Sequence, residues 1–183
     1  WLASLANEFS RNAATRIVGG DVRIGLADPR RPTALEAYES VFAYRQREYI
    51  EKMGFSGTGN LAMRREAYEA VGPFGGIEIA EDRDWGRRAS AMGIRIKYLE
   101  SMIVYHPARK TFAELRRKWD RHVSHDYEEL PAGLAAQVKW TGLAAAVALS
   151  GVVDIRRILA SNRVSTMRER ILAAAVLARI RLY

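Results

Sequence analysis

The stretch that decides the fold runs from Gly54 to His106. It begins Gly54-Phe-Ser-Gly-Thr-Gly-Asn60, passes through Ala80-Glu-Asp82 and ends Val104-Tyr-His106. Glycines in a strand leave room for a ligand, and carboxylates at the start of a helix can accept a proton. A histidine can bind a metal ion or transfer a proton. Groups of these kinds within one stretch are arranged as in the site of an enzyme.

The composition is that of a folded domain with a core. Of the 183 residues, 49% are hydrophobic and 27% are charged, which argues against disorder. The chain has no cysteine, so disulfides and thiolate metal sites are excluded. It begins at Trp1 without a basic and then apolar leader, so we expect it to be part of a longer protein.

The net charge of +8 is concentrated toward the C-terminus. Residues 1–104 contain 15 Lys and Arg against 14 Asp and Glu, whereas residues 105–183 contain 14 against 7. This basic part predicts an anionic partner: a membrane surface, a nucleic acid or a phosphorylated substrate. The alternative is a basic face that is only solvated.

The spacing of apolar residues up to residue 130 predicts alternating helices and strands. Thr33 and Glu36 form a capping box, as do Thr111 and Glu114, and Gly54 is expected to end a helix. The alternation predicts an α/β fold. Helices are expected over residues 1–12, 33–53, 65–71 and 81–92 and from residue 111 onward, and strands over residues 16–24, 55–63, 94–98 and 101–105.

The positions of glycines predict local features of one strand and one loop. Gly19-Gly20 lies inside the first strand, where it should bend the strand or let another backbone approach closely. The glycine-rich loop up to Ala80 is expected to be mobile. The helix that begins at Glu81 should bury a face made of Trp85, Ala89 and Met92.

After Pro131 the sequence becomes rich in Ala, Leu and Val. The apolar run from Trp140 to Val153 has 14 residues, fewer than the ~20 that a membrane-spanning helix needs. Thr166 and Glu169 form a capping box that begins a last helix. The pattern of this helix is typical of one that lies in a membrane interface or docks on a partner. We therefore expect a division into residues 1–130 and a helical tail, residues 131–183. The apolar face of the last helix consists of Met167, Ile171, Ala175, Ala178 and Leu182, surrounded by Arg168, Arg170, Arg179 and Arg181.

The pair Glu81 and Asp82 is the strongest candidate for catalysis. Acids at a helix N-terminus lie near free backbone N–H groups and the positive end of the helix dipole, which keeps them ionised. An ionised carboxylate in a cleft can take a proton from a sugar or alcohol hydroxyl. The alternative is that acids simply favour the first turn of a helix.

Three other groups of residues are candidates for binding. His106 can ligate a divalent cation, act as an acid or base, or merely end a strand. The glycine-rich segment leaves room for a ligand, or is only a turn, and its spacing is not that of an NTPase phosphate loop. Basic residues beside a tryptophan can hold phosphates, whereas no recognised nucleic-acid motif occurs and nucleic acid is not an expected partner. The two sets are Gly57, Thr58, Gly59 and Asn60, and Arg116, Arg117, Lys118 and Trp119.

Several of these pieces form an ordered series of motifs. They are Trp1-Leu2, Val18-Gly-Gly-Asp-Val22, Gly57-Thr-Gly-Asn-Leu-Ala-Met-Arg-Arg65, Val71-Gly-Pro-Phe74, Glu81-Asp82-x-Asp84-x-Gly86-x-Arg88, Gly93-Ile-x-Ile-x-Tyr98 and Val104-x-His106-Pro107. In this order and spacing the series resembles the family 2 glycosyltransferases, which are inverting enzymes of GT-A fold. The resemblance implies a partial GT-A fold followed by C-terminal amphipathic helices.

The resemblance also implies roles for the candidate residues. Asp82 would be the base that deprotonates the acceptor hydroxyl, and Glu81 would orient the acceptor or the base. The donor would be a nucleotide-activated sugar, with Mg²⁺ or Mn²⁺ balancing the diphosphate and His106 as one metal ligand. The basic residues Arg116, Arg117 and Lys118 would help to hold the diphosphate or the acceptor.

Two departures from the family pattern refine these expectations. The nucleotide-binding half and its Asp-x-Asp motif should precede Trp1, so the fragment alone is expected to be inactive. Processive synthases carry Gln-x-x-Arg-Trp where this chain has Leu115-x-x-Lys118-Trp119, which favours single-sugar transfer to a glycan or lipid-linked acceptor. We expect a role in cell-envelope or exopolysaccharide synthesis at the cytoplasmic face of the cell membrane. The alternative is a non-catalytic module that binds a membrane surface.

Overall fold

The structure is a computed structural model that describes residues 1–76, 80–128 and 130–183. Helices and strands alternate in its first part, and helices follow one another in its last. The elements are α1 (Leu2–Arg11), β1 (Ile17–Gly25), α2 (Ala34–Phe42), α3 (Gln46–Met53), a 3₁₀ turn (Thr58–Asn60), β2 (Leu61–Met63), α4 (Arg65–Val71), α5 (Glu81–Ala91), β3 (Ile96–Pro107), α6 (Phe112–Glu128), α7 (Leu134–Leu149), α8 (Gly151–Ala160) and α9 (Met167–Arg181).

The chain forms two compact units. Unit 1 consists of Trp1–Arg23 and Tyr44–His106, and unit 2 consists of Ile24–Ala43 and Pro107–Tyr183. The predicted boundary at residue 130 falls inside unit 2. As a division between an acceptor-side part and a membrane-associated tail, it stays a prediction.

Unit 1 contains a three-stranded sheet in the order β2-β1-β3. β1 and β2 are antiparallel, with Ile17 opposite Met63 and Gly19 opposite Leu61. The two glycines of β1 allow a close approach, as predicted, because a Cβ on Gly20 would lie 2.1 Å from the carbonyl oxygen of Met102. This mixed architecture of a small sheet and many helices confirms the α/β prediction and fits a partial GT-A fold.

The core of unit 1 lies under α5. Trp85 is wholly buried, and its ring stacks on Phe74 with the ring centroids 4.9 Å apart. Ala89 is also buried as predicted, but Met92 is 53% exposed, so its predicted place on the buried face is wrong. Met92 caps the C-terminus of α5 just before Gly93, whose φ of +73° ends the helix, and it therefore lies beyond the packed turns. The buried cluster consists of Ile17, Ala67, Val71, Trp85, Ala89 and Ile94.

Three element predictions need correction. The helix predicted over residues 33–53 is interrupted at Ala43–Arg45, because α2 packs in unit 2 whereas α3 belongs to unit 1. The strand predicted over residues 55–63 is confined to Leu61–Met63, because the backbone of Gly57 bonds to a side chain instead of a strand. The strands predicted over residues 94–98 and 101–105 are one strand, β3. The prediction for the loop up to Ala80 falls partly on residues 77–79 and lies outside the described residues.

Unit 2 is built on the packing of α2 against α9. Both helices begin with complete capping boxes, at Thr33 and Thr166, as the sequence predicts for each. The buried carboxylate of Glu39 on α2 accepts hydrogen bonds from the backbone N–H and the guanidinium of Arg109. The core cluster includes Ala37, Tyr38, Val41, Phe42, Leu115, Ile158, Val164, Ala173, Val176, Leu177 and Ile180.

The C-terminal helices leave much apolar surface exposed. No residue of α7 is buried. The face of α9 that the sequence singled out lies outward, with Met167 64% and Ile171 62% exposed, while a different face carrying Val176 and Leu177 packs in the core. In the described part of the chain, no helix combines the length and the apolar character needed to cross a membrane.

Candidate functional site

The carboxylate pair is held in unit 1 by the packing of α5 on the glycine-rich segment. Gly86 of α5 lies so close to this segment that an added Cβ would be 2.4 Å from the Cβ of Phe55 and 2.8 Å from the carbonyl oxygen of Gly54. Asp82 is four residues before Gly86 and so lies on the same side of α5. The glycine therefore brings the side of the helix that carries Asp82 against the segment 54–55.

Asp82 and Glu81 form the first turn of α5, as predicted. Both are half-buried, and a carboxylate oxygen of Asp82 accepts a hydrogen bond of 2.7 Å from the N–H of Arg83. Burial raises the pKa of Asp82 above the usual 3.8, and the charge of Glu81 acts in the same direction, although the Arg83 N–H opposes it. The helix terminus by itself would keep Asp82 ionised, and the burial that opposes this effect is not apparent from the sequence. A raised pKa makes Asp82 a stronger base.

The residue before the pair has an unusual backbone conformation. Ala80 has φ 50° and ψ 62°, in the left-handed region that residues with a side chain rarely adopt. Such conformations persist where the surrounding structure requires them and are common at functional sites. This geometry is a second local sign that the start of α5 is more than an ordinary helix terminus.

Polar contacts hold α5 against the motif Val71-Gly-Pro-Phe74. Arg88 donates from its guanidinium to the carbonyl oxygens of Val71, at 2.6 Å, and Pro73, at 2.7 Å. The indole N–H of Trp85 donates to the carbonyl oxygen of Gly72 at 2.8 Å. Two motifs that are adjacent in sequence are thus joined in space, and the orientation of the carboxylate pair depends on both.

The segment Gly57–Asn60 contains the 3₁₀ turn Thr58–Asn60, and its exposed tip lies between the half-buried Gly57 and the buried Asn60. Thr58 and Gly59 are exposed, whereas Asn60 is buried. The amide of Asn60 donates to the carbonyl oxygens of Asp21, at 2.8 Å, and Met102, at 2.7 Å, and its oxygen accepts from the indole of Trp1. Both amide hydrogens of Asn60 are used within unit 1, so this predicted binding residue holds the turn in place.

Gln46 also positions this turn, and sequence reasoning missed it. Its buried side chain accepts from the N–H of Gly57 at 3.0 Å and donates to the carbonyl oxygen of the same residue at 3.3 Å. A signal was present, because Gln46 is a polar residue at the spacing of the apolar face predicted for the helix over 33–53. A buried polar side chain on such a face needs partners, and here it finds a backbone.

His106 lies at the end of β3 in unit 1 and is exposed. Its ring is 5.1 Å from the ring of Tyr44, centroid to centroid. Among the residues that the structure describes, no three His, Asp or Glu side chains come together as a metal site. The role of His106 as a metal ligand stays a prediction.

The four predicted binding residues of α6 belong to unit 2. Trp119 packs against the core of that unit, a structural role that the sequence did not reveal. The guanidinium of Arg116 lies over the ring of Tyr183 at 3.9 Å. Arg116 and Arg117 are exposed, and Lys118 is half-buried. Of the four, these three basic side chains are the ones placed to reach an anion.

A half-buried carboxylate of raised pKa, on a helix that packs against residues 54–55 of an α/β unit, is typical of enzyme active sites. Comparison with known proteins is consistent with an enzyme. The family described as "Glycosyl transferase family group 2" matches residues 31–178, most of the chain. The chain belongs to this family of glycosyltransferases.

One curated relative is "Glycosyltransferase AglE" of Haloferax volcanii. It is 36% identical to the chain over 103 residues, which are 56% of this chain and 33% of that protein. The alignment thus spans about a third of the length of this relative.

Proposed function

We propose that the chain is the acceptor-side part of a glycosyltransferase that moves a sugar from a nucleotide-sugar donor to a hydroxyl group. The observation that carries this proposal is Asp82, a half-buried carboxylate of raised pKa that α5 holds beside the glycine-rich segment. Membership of the family supports sugar transfer as the reaction.

In the proposed mechanism Asp82 takes the proton of the acceptor hydroxyl. The acceptor oxygen forms a bond to the anomeric carbon as the bond from that carbon to the diphosphate breaks. The diphosphate leaves with the electron pair of that bond, and this single displacement inverts the anomeric configuration. Glu81 orients the acceptor or the base, and its charge contributes to the raised pKa of Asp82.

The leaving diphosphate carries negative charge that must be balanced. Arg116, Arg117 and Lys118 on α6 are proposed to help hold the diphosphate or the acceptor, because Arg and Lys form charge-assisted hydrogen bonds to phosphate. Mg²⁺ or Mn²⁺ is proposed as the cofactor of the complete enzyme, where it would supply further positive charge. His106 is then one of its ligands.

We also propose that the C-terminal helices hold the enzyme on a membrane. An open apolar groove of about 310 Å³ runs beside α8 and α9 and is lined by residues such as Val152, Ile155 and Ala178. The exposed face of α9 continues this apolar surface, and arginines surround it. Apolar side chains beside basic ones fit a bilayer with anionic headgroups. An enzyme held on a membrane in this way could use a lipid-linked acceptor. The proposed location is the cytoplasmic face of the cell membrane, and the proposed role is cell-envelope or exopolysaccharide synthesis.

The second candidate is a non-catalytic module that binds a membrane surface, with Glu81 and Asp82 serving only the helix terminus. The exposed apolar residues of α7, α8 and α9 favour it as much as they favour a membrane-bound enzyme. Only the carboxylate site separates the two candidates.

The test is to express the complete protein that contains this chain and to incubate it with nucleotide sugars and lipid-linked acceptors. Proton NMR of the product then gives the anomeric configuration. Transfer with an inverted configuration supports the proposal. Retention of configuration contradicts the single displacement, and membrane binding without transfer from any donor favours the second candidate.

A further inference from the structure

We propose that Gln46 is a positioning residue for the acceptor site, because it holds the exposed tip of the glycine-rich turn in one place. This inference rests on the proposed function. It concerns a residue that does not touch the reacting atoms and acts through the backbone of Gly57.

The side-chain amide of Gln46 bonds to both backbone groups of one residue. Its oxygen accepts from the N–H of Gly57, and its nitrogen donates to the carbonyl oxygen of Gly57. That carbonyl oxygen also accepts from the Asn60 N–H and the Ser56 hydroxyl, both at 3.3 Å. Only 2% of Gln46 is exposed, so water does not compete for these bonds. Their direction fixes both the position and the tilt of the peptide groups that lead into the turn.

Gly57 is matched to this contact. A Cβ at position 57 would lie 3.1 Å from the side-chain nitrogen of Gln46, closer than ordinary van der Waals contact. A larger residue would push the amide away and weaken both hydrogen bonds. The glycine and the glutamine therefore work as a pair.

The other end of the turn is anchored as firmly. Asn60 is bonded to two carbonyl oxygens and to the indole of Trp1. Between the anchors, Thr58 and Gly59 are exposed, and a Cβ on Gly59 would meet nothing within 4 Å. A rigid base with an open tip is the arrangement expected of a surface that positions a substrate.

The turn is also connected to the proposed base. Phe55, two residues before Gly57, is the residue on which Gly86 of α5 packs, and Asp82 lies on that side of the same helix. A shift of the turn therefore changes where an acceptor bound at Thr58–Gly59 lies relative to Asp82. A turn that is no longer held in one place must also be ordered when the acceptor binds, and this ordering weakens the binding.

The test compares Gln46→Met with Gln46→Glu in the complete protein. Methionine keeps the length of the side chain and removes both hydrogen bonds, whereas glutamate keeps an acceptor for the N–H of Gly57. Gln137→Met is the matched control, because Gln137 is an exposed residue of helix α7. We expect the acceptor KM to rise about 10- to 100-fold in Gln46→Met, with the donor KM unchanged. It should rise in Gln46→Glu as well, because a carboxylate oxygen would then face the carbonyl oxygen of Gly57.

Hydrogen exchange gives a readout that does not require activity. The amides of residues 57–60 should exchange faster in Gln46→Met than in the wild type or in Gln137→Met. An acceptor KM within about twofold of wild type in folded Gln46→Met overturns the inference. If Gln46→Met does not fold, the same comparison is decided by Gln46→Glu.

The two proposals can fail separately. A wild-type enzyme that transfers no sugar contradicts the proposed function, and the turn is then judged by exchange alone. Unchanged exchange of residues 57–60 in Gln46→Met overturns the positioning role whatever the activity. A purely structural role would lower the melting temperature and leave the acceptor KM of the folded enzyme unchanged.

Discussion

Replacing Gly86 with alanine tests the contact that holds the carboxylate pair in place. The new Cβ would lie 2.4 Å from the Cβ and 2.7 Å from the Cα of Phe55, whereas carbon atoms prefer about 3.5–4.0 Å. Because these neighbours are backbone and Cβ atoms, they cannot rotate away, and α5 must shift. Overpacking of this kind destabilises a folded protein by up to about 3 kcal/mol. The higher helix propensity of alanine stabilises α5 by about 1 kcal/mol.

We therefore expect Gly86→Ala to destabilise unit 1 by about 2 kcal/mol. The matched control is Gly142→Ala in α7, where an added Cβ meets nothing within 4 Å and should stabilise its helix by up to about 1 kcal/mol. Hydrogen exchange in increasing urea, read by mass spectrometry, reports the two helices separately. If the α5 amides of Gly86→Ala are protected from exchange as well as or better than those of wild type, the contact is refuted. The placement of Asp82 that depends on this contact is then refuted too.

Two further predictions concern charge and lipid contact. Folding raises the pKa of Asp82, so burial of the ionised carboxylate destabilises the folded protein. The folded protein is therefore more stable below the unfolded pKa, and it loses this stability as pH rises through the folded pKa. Asp82→Asn should thus unfold in urea with at least the stability of wild type at pH 7, and the difference in the free energy of unfolding should disappear at pH 3. A variant that is less stable than wild type at pH 7 contradicts the raised pKa. Met167→Gln with Ile171→Gln should weaken flotation on anionic vesicles by about tenfold per residue without changing the melting temperature, since burial of such a side chain contributes about 1.5 kcal/mol or more. Leu2→Gln, also exposed, is the control, and equal flotation of all three proteins would exclude this face of α9 as the lipid contact.

Local features of the fold could be predicted from the sequence. The capping boxes at Thr33 and Thr166 and the glycines that end helices at Gly54 and Gly93 depend on neighbours within a few residues. The apolar face of α9 also followed from spacing alone. The burial of a second face of α9, with Val176 and Leu177, did not, because it depends on α2, far away in sequence.

Features of the site that depend on distant contacts were not predictable. The helix terminus suggested an ionised Asp82, but the burial that raises its pKa comes from the packing of α5. The strand predicted over residues 55–63 is shorter because Gly57 bonds to Gln46, and the polar Gln46 on an apolar helix face indicates burial without identifying its partner. Asn60 was expected to face a ligand, whereas its amide joins β1, β3 and the N-terminus.

The central claim is that Asp82 is the base of a sugar transfer, and the rate of the complete protein carrying Asp82→Asn tests it most directly. Asp28→Asn, an exposed aspartate outside the site, is the control for the same chemical change. With nucleotide sugar and acceptor both saturating, we expect Asp82→Asn to lower the initial rate about 10²- to 10⁴-fold while Asp28→Asn keeps it. An Asp82→Asn rate within about threefold of wild type, in a variant that is folded, would contradict the assignment.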